Sequence, residues 1–157
     1  VLTACTGVSE KHPEARLVLI GDGPDREKIA AQAAPFGDRV EILSKMDQKA
    51  LFARIDASSV SLAPALSEFN PNFILESLAH GKPAIISRDN GLSVQLPEYL
   101  QFDPLHADSL QAVMESLMEP AVYERALQDV AALPADQTWE KVVAEHARIA
   151  QGGGNVV

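Results

Sequence analysis

The stretch Ser67-Glu68-Phe69-Asn70-Pro71-Asn72-Phe73-Ile74-Leu75-Glu76-Ser77-Leu78-Ala79-His80-Gly81-Lys82-Pro83 contains the signals of a short helix with two marked ends. Pro71 has the fixed backbone angle and the missing N–H that suit a first helical position, and Asn70 before it is held extended and can cap the helix. Gly81 suits the left-handed residue that ends many helices, and the proline two residues later cannot continue the helix. The pattern therefore predicts a helix over about residues 71–80, roughly three turns long.

Polar residues recur on one side of this helix. Asn72, Glu76 and His80 are spaced four residues apart, so they share a face. Another side carries apolar and small residues, namely Phe73, Ile74, Ser77 and Leu78. Polar residues along one face of a core helix have to be explained either by ligand binding or by packing.

The run Ser59-Val60-Ser61-Leu62-Ala63-Pro64 before the helix is typical of a strand. In parallel α/β sheets, ligands bind beyond the carboxyl ends of strands, where helix N-termini point N–H groups at anions. We therefore expect a diphosphate to bind the free N–H groups of residues 72–74. Glu76, about 7 Å further along the helix axis, would then meet the hydroxyls of a sugar, and Glu68 would face a second sugar.

Strands and helices alternate along the rest of the chain. Apolar runs predict strands at 15–20, 38–43, 59–63, 82–87 and 99–102. Apolar periodicity and capping residues predict helices at 25–34, 48–56, 71–80, 108–117, 121–132 and, after Thr138, up to 149. This order predicts an α/β fold, a Rossmann-like parallel sheet with helices on both faces that ends in C-terminal helices.

The length of 157 residues fits one domain, which we place at residues 1–150. Residues 1–11 have the pattern of the last turns of a helix, so we expect the domain to be truncated at its N-terminus. Residues 151–157 include three consecutive glycines and are expected to form a flexible tail.

Composition excludes several classes of function. The chain has 13 basic and 22 acidic residues, a net charge of −9, and its basic residues form no stripe, so nucleic acid and anionic membranes are poor partners. Cys5 is the single cysteine, which excludes a disulfide framework and a cysteine metal site. The histidines, His12, His80, His106 and His146, have no ligand spacing. We therefore predict no metal, and, because no 18-residue apolar run occurs, no direct membrane span.

Two further loops follow predicted strands. Gly21-Asp22-Gly23-Pro24 begins like a dinucleotide fingerprint, but Arg26 stands where the third glycine is expected, so a tight strand-to-helix turn is the main alternative. Ser44-Lys45-Met46 follows the strand at 38–43. The charge of Lys45 either reaches a phosphate or is simply solvated.

The two glutamates, seven residues apart and followed by a small-residue helix and Gly-Lys-Pro, resemble the donor-site signature of retaining glycosyltransferases of the two-Rossmann-domain type, family 4 (glycosyl transferases group 1). The resemblance implies that Glu68 lies near the donor hexose as a catalytic group that acts by position and charge. It implies that Asn70, Pro71, Asn72 and Phe73 bind the pyrophosphate and that Glu76 holds the nucleotide ribose.

The same resemblance assigns the other loops to the donor cleft. Gly21 and Gly23 would border the cleft, and Lys45 lies in a loop whose backbone borders the nucleobase. Family members usually open that loop with a glycine, and Ser44 departs from this pattern. After the strand at 82–87, Asn90-Gly91 loosely matches the small residues that lie close to the donor.

The resemblance covers residues 15–150 and only the carboxyl-terminal, donor-binding half of such an enzyme. It implies a separate amino-terminal acceptor-binding domain that is missing from this chain, and a preceding strand with basic residues that neutralise the diphosphate. The partner is a nucleotide sugar, which is the substrate, and no cofactor is implied. It also implies a cytoplasmic enzyme of cell-surface polysaccharide synthesis, attached to the inner membrane, if at all, peripherally through the missing domain.

Two alternatives belong to other classes. A stand-alone nucleotide-sugar-binding or interaction module without transferase activity would use the same scaffold. A phospho-acceptor receiver domain needs clustered acids at early strand ends and a lysine after the last strand. Here Asp22 is a single acid and Lys82 precedes its strand, which argues against the receiver domain.

Overall fold

The structure is a computed structural model that describes residues 1–66, 68, 71–91, 96–133, 144 and 148. Its helices are α1 (Leu2–Lys11), α2 (Arg26–Ala33), α3 (Gln48–Ala57), α4 (Asn72–Ala79), α5 (Ala107–Ser116) and α6 (Pro120–Ala131). Its strands are β1 (Leu17–Ile20), β2 (Val40–Leu43), β3 (Ser61–Ala63), β4 (Ala84–Ser87) and β5 (Gln101–Phe102). Two 3₁₀ segments, Ala34–Arg39 and Glu98–Leu100, precede β2 and β5. The predicted last helix lies outside the described residues except for 144 and 148, and the predicted tail lies wholly outside them.

All strand pairs in the described part of the chain are parallel, as the sequence predicted. β1 pairs with β2, with Leu17 opposite Val40, and the second sheet has the order β3-β4-β5. Within the described residues, β1 pairs only with β2, and β3 pairs with β4 alone. One edge of β1 and one edge of β3 therefore have no strand beside them in this part of the chain.

Helices cover both faces of the second sheet. Ile85 of β4 packs in one apolar cluster with Ala4 of α1 and Leu110 of α5. Its neighbours in the strand, Ala84 and Ile86, pack in another cluster with Ile74 of α4. Because successive strand residues point to opposite faces, α1 and α5 lie on one face and α4 lies on the other.

Helix α1 also reaches the first sheet. Its Cys5 and Val8 line a cavity together with Leu17 of β1 and Val40 of β2. Helix α1 therefore contributes side chains both to the cluster on the second sheet and to the cavity beside the first.

Helix α4 ends where the sequence predicted, but it begins one residue later. Gly81 has φ 69°, its N–H donates to Leu78 O, and the next N–H, of Lys82, donates to Ser77 O, which is the double hydrogen bond of a Schellman cap. At the start, Pro71 is the extended N-cap residue with ψ 92°, so the prediction of Pro71 as the first helical residue is wrong by one position.

The buried side of α4 is narrow. Ile74 and Ser77 are fully buried, whereas Phe73 is 36% exposed and Leu75 is exposed beside it. The helix has only two turns, so its apolar side chains cannot all face the sheet.

Candidate functional site

Helices α3 and α4 contact each other at two points along their length. Gln48, the first residue of α3, donates to Glu76 in the middle of α4, and near the ends of both helices His80 Nδ1 lies 2.7 Å from Asp56 Oδ1. The two helices therefore run side by side in the same direction. Since α3 follows β2 and α4 follows β3, the carboxyl ends of both sheets face one side of the molecule, which is where ligands bind in parallel α/β folds.

The backbone of Glu68 is fixed by the loop after β4. Its N–H donates to Asp89 O at 3.2 Å, and its carbonyl accepts from the N–H of Gly91 at 2.8 Å. These bonds form a parallel bridge between Glu68 and the buried Asn90. The structure thus brings the predicted Asn90-Gly91 loop to Glu68, which is exposed.

The start of α4 offers fewer N–H groups than predicted. The N–H of Ile74 donates to Pro71 O at 2.9 Å, so it is not free to bind an anion. The prediction of free N–H groups at residues 72–74 was therefore wrong for Ile74. The helix itself supplies no acceptor for the N–H groups of Asn72 and Phe73. Asn70, the predicted capping residue, lies outside the described residues.

The polar stripe of α4 divides into two parts. At the end far from the sheet's carboxyl edge, the ring of His80 lies 4.7 Å from the ring of Phe52, and Lys82 Nζ donates to Asp56 O at 2.8 Å. His80 and the lysine of Gly-Lys-Pro therefore hold α4 against α3. Glu76, nearer the carboxyl edge, is half-buried and accepts a hydrogen bond at 3.1 Å from Gln48 Nε2.

The loops after β1 and β2 are joined by the Asp22 carboxylate. Its Oδ2 accepts the N–H of Lys45 at 2.7 Å, and its Oδ1 lies 3.2 Å from Arg26 Nη1. The pKa of Asp22 is lowered, chiefly by the hydrogen bond from the Lys45 N–H. Burial, the second-largest effect, opposes this shift, and the Ser44 hydroxyl and the Arg26 and Lys45 charges add to it.

Arg26 is a residue of this site that the sequence analysis counted only as a missing glycine. Its Nη1 donates to Gly21 O at 2.7 Å and to Leu43 O at 3.2 Å. These carbonyls lie at the carboxyl ends of β1 and β2, so one guanidinium ties both strand ends together. Arg26 is the first residue of α2 and Asp22 lies in the loop before it, so the spacing rule for ion pairs on a helix does not indicate this pair.

The remaining predicted residues fall on the same edge. The N–H of Gly21 donates to Leu43 O at 3.0 Å, and Gly23 is exposed in the turn before α2. Lys45 contributes its backbone to the Asp22 network while its side chain is exposed. Gly21, Gly23 and Lys45 therefore lie in two neighbouring loops at this edge. That each of them contacts a ligand stays a prediction.

The described residues contain neither a cluster of metal ligands nor a membrane-spanning helix. In that part of the chain, no group of three or more histidine, cysteine or acidic side chains is placed to hold a metal ion. No helix there is both long and apolar enough to cross a bilayer. The predictions about metals and partners stay predictions.

The known proteins that this chain resembles in sequence include a mannosyltransferase. The chain is 32% identical over 93 residues to the GDP-mannose-dependent alpha-(1-6)-phosphatidylinositol dimannoside mannosyltransferase of Mycobacterium tuberculosis (strain ATCC 25177 / H37Ra), an alignment that covers 59% of this chain and 24% of that protein. The chain thus matches about a quarter of the length of that relative.

Solved structures support the fold. Sucrose-phosphate synthase from Thermosynechococcus elongatus has a TM-score of 0.71 at 24% identity, covering 96% of this chain and 41% of that one. The catalytic domain of cholesterol-alpha-glucosyltransferase from Helicobacter pylori has a TM-score of 0.72 at 23% identity, covering 83% and 84%. The family model described as Glycosyl transferases group 1 matches residues 1–119, well over half of the chain. The chain belongs to the glycosyl transferases group 1 family.

Proposed function

We propose that this chain is the donor-binding half of a retaining glycosyltransferase that transfers a hexose from a nucleotide sugar to an acceptor. The observation that carries the proposal is the placement of Glu68 and Glu76 on either side of the start of α4, at the carboxyl end of β3, in a chain of this family. A fold alone supports many functions, so the argument rests on this site.

The chemistry requires stabilisation of a leaving group. As the bond between the anomeric carbon and the diphosphate breaks, negative charge develops on the diphosphate and positive charge on the sugar. The N–H groups of Asn72 and Phe73, at the positive end of α4, bind the diphosphate. Glu68 acts on the hexose by position and charge, without forming a covalent bond.

Glu76 is assigned to the ribose of the donor. A carboxylate has two oxygens and accepts hydrogen bonds from two neighbouring hydroxyls. Gly21, Gly23 and Lys45 lie at the neighbouring strand ends and border the nucleotide in this proposal. The donor is the substrate, and we expect the reaction to need no cofactor and no bound metal, and to take place in the cytoplasm.

The relative's name supports the class of donor. The mycobacterial mannosyltransferase is described as GDP-mannose-dependent, and its alignment with this chain supports a nucleoside diphosphate hexose as donor here. GDP is therefore the first nucleotide to test, followed by UDP and ADP.

The sheet edges support a larger enzyme. β1 and β3 each leave an edge without a strand beside it in the described residues, and α1 contributes side chains beside both sheets. A parallel strand between them would join the two sheets into the strand order of the doubly wound fold, in which the first strand is central. We place there the first strand of the donor half, with the basic residues that neutralise the diphosphate, after an amino-terminal acceptor-binding domain.

Calorimetry with nucleoside diphosphates tests the division of roles between the glutamates. In the full-length protein, Glu76→Ala should weaken binding at least about 10-fold, because a hydrogen bond to a charged group contributes about 1.5–3 kcal/mol and 1.4 kcal/mol is a factor of ten. Glu68→Ala is the matched control and should leave the affinity nearly unchanged, since free nucleoside diphosphate carries no hexose. Equal losses in both variants, or no binding of GDP, UDP or ADP, would contradict the assignment.

A further inference from the structure

The first residue of α3 contacts the carboxylate of Glu76. Gln48 Nε2 donates to Glu76 Oε1 at 3.1 Å, and both side chains lie on the side of the molecule where the strands of both sheets end. Glu76 is half-buried and Gln48 is exposed. The contact therefore lies at the opening of the candidate site and is accessible to a ligand.

The backbone just before Gln48 is held in place by two hydrogen bonds. Asp47 caps α3, because its carboxylate accepts the N–H of Ala50 at 2.8 Å. Two residues earlier, the N–H of Lys45 donates to Asp22 Oδ2 at 2.7 Å. The amide of Gln48 thus projects from a segment that is already fixed before a ligand arrives.

The contact is not needed to hold α3 against α4. Those helices are joined at their other ends by the 2.7 Å contact of His80 with Asp56, by the packing of His80 on Phe52, and by the bond from Lys82 Nζ to Asp56 O. A hydrogen bond between exposed and half-exposed side chains adds little to stability. The geometry therefore favours a role in binding over a role in folding.

A glutamate on a helix has several accessible side-chain rotamers, and binding must select one of them. A hydrogen bond to one oxygen makes that selection in advance, which raises affinity without a new contact to the ligand. The carboxylate still has lone pairs for two further donors.

We propose that Gln48 is a positioning residue, which orients the Glu76 carboxylate to accept hydrogen bonds from the two adjacent hydroxyls of a ribose. The inference rests on the proposed function and extends it, because it makes the site selective for ribonucleotides over 2′-deoxyribonucleotides. Gln48 itself does not touch the nucleotide.

The test measures the dissociation constants of GDP and 2′-deoxy-GDP by calorimetry on the full-length protein, or of the UDP or ADP pair if GDP does not bind. Gln48→Ala should weaken GDP binding about five-fold and 2′-deoxy-GDP binding less, so that the preference for ribose falls. In a Glu76→Ala background, Gln48→Ala should cause no further loss, since Gln48 acts through Glu76. Gln32→Ala, the same substitution at an exposed position of α2, is the control and should change neither affinity.

The other outcomes distinguish failure of this inference from failure of the proposed function. Equal losses for the ribose and deoxyribose forms, the same loss with and without Glu76, or no loss at all would overturn the inference while leaving the proposed function intact. If the wild-type protein binds none of GDP, UDP and ADP, the proposed function and this inference both fall.

Discussion

The carboxylate of Asp22 joins two loops through hydrogen bonds that need it ionised. Lys45 N–H, the Ser44 hydroxyl and Arg26 all favour the charged form, and they hold its pKa below the ordinary value of 3.8. A carboxyl whose pKa is lower in the folded state contributes stability that is fully present above its unfolded pKa. That contribution is lost as the pH falls through the lower folded pKa.

Asp22→Ala should therefore lower the free energy of unfolding at neutral pH, and the difference from the wild-type protein should shrink as the pH falls below 3.8. Chemical denaturation at about pH 7 and about pH 3 measures this difference. Asp25→Ala is the control, because Asp25 is an exposed neighbour whose side chain makes no capping hydrogen bond. A deficit of the same size at both pH values would show that the ionised carboxylate is not the stabilising group.

At the scale of elements, α4 depends on its C-terminal glycine. Gly81 has φ 69°, a conformation that costs a residue with a Cβ about 1–2 kcal/mol. Gly81→Ala should lower the free energy of unfolding by about that amount in urea denaturation. Gly23→Ala, at a glycine without a positive φ and with open space around it, should be neutral or slightly stabilising. Similar destabilisation in both variants would show that the left-handed cap is not the cause.

The sequence predicted these elements because their signals are local. Runs of apolar residues mark β1 and β4, Asp47 marks the start of α3 as a cap, and Gly81 marks the end of α4. The start of α4 was misplaced by one residue, because Pro71 suits both an extended cap and a first helical position.

The parts of the site that the sequence did not predict depend on packing between elements. Gln48 and Glu76 are 28 positions apart in the sequence. They meet only because α3 and α4 run side by side. Arg26 reaches Leu43 O because β1 pairs with β2. No spacing rule within one element indicates either contact.

In the whole molecule, the overall charge and the sheet order both bear on the proposal that this chain is a donor-binding half. The chain carries a net charge of −9, and the guanidinium of Arg26 faces the carboxylate of Asp22. Under the proposed function, Lys45 is the predicted phosphate cation of these residues, and we expect further cations from outside them. The strand that we propose between β1 and β3 would supply those cations at the centre of the carboxyl edge.

Under the proposed function, the full-length protein transfers a hexose with retention and Glu68 takes part. The measurement is the release of nucleoside diphosphate from a nucleotide sugar, with the anomeric configuration of the sugar product read by NMR. We predict release by the wild-type protein with the donor's anomer retained, and a rate at least about 100-fold lower in Glu68→Gln with the same anomer, since an electrostatic group at a reacting centre is worth about that factor. An unchanged rate in Glu68→Gln, or an inverted anomer, would contradict the account. Nucleotide binding without release from any nucleotide sugar would instead identify a binding module.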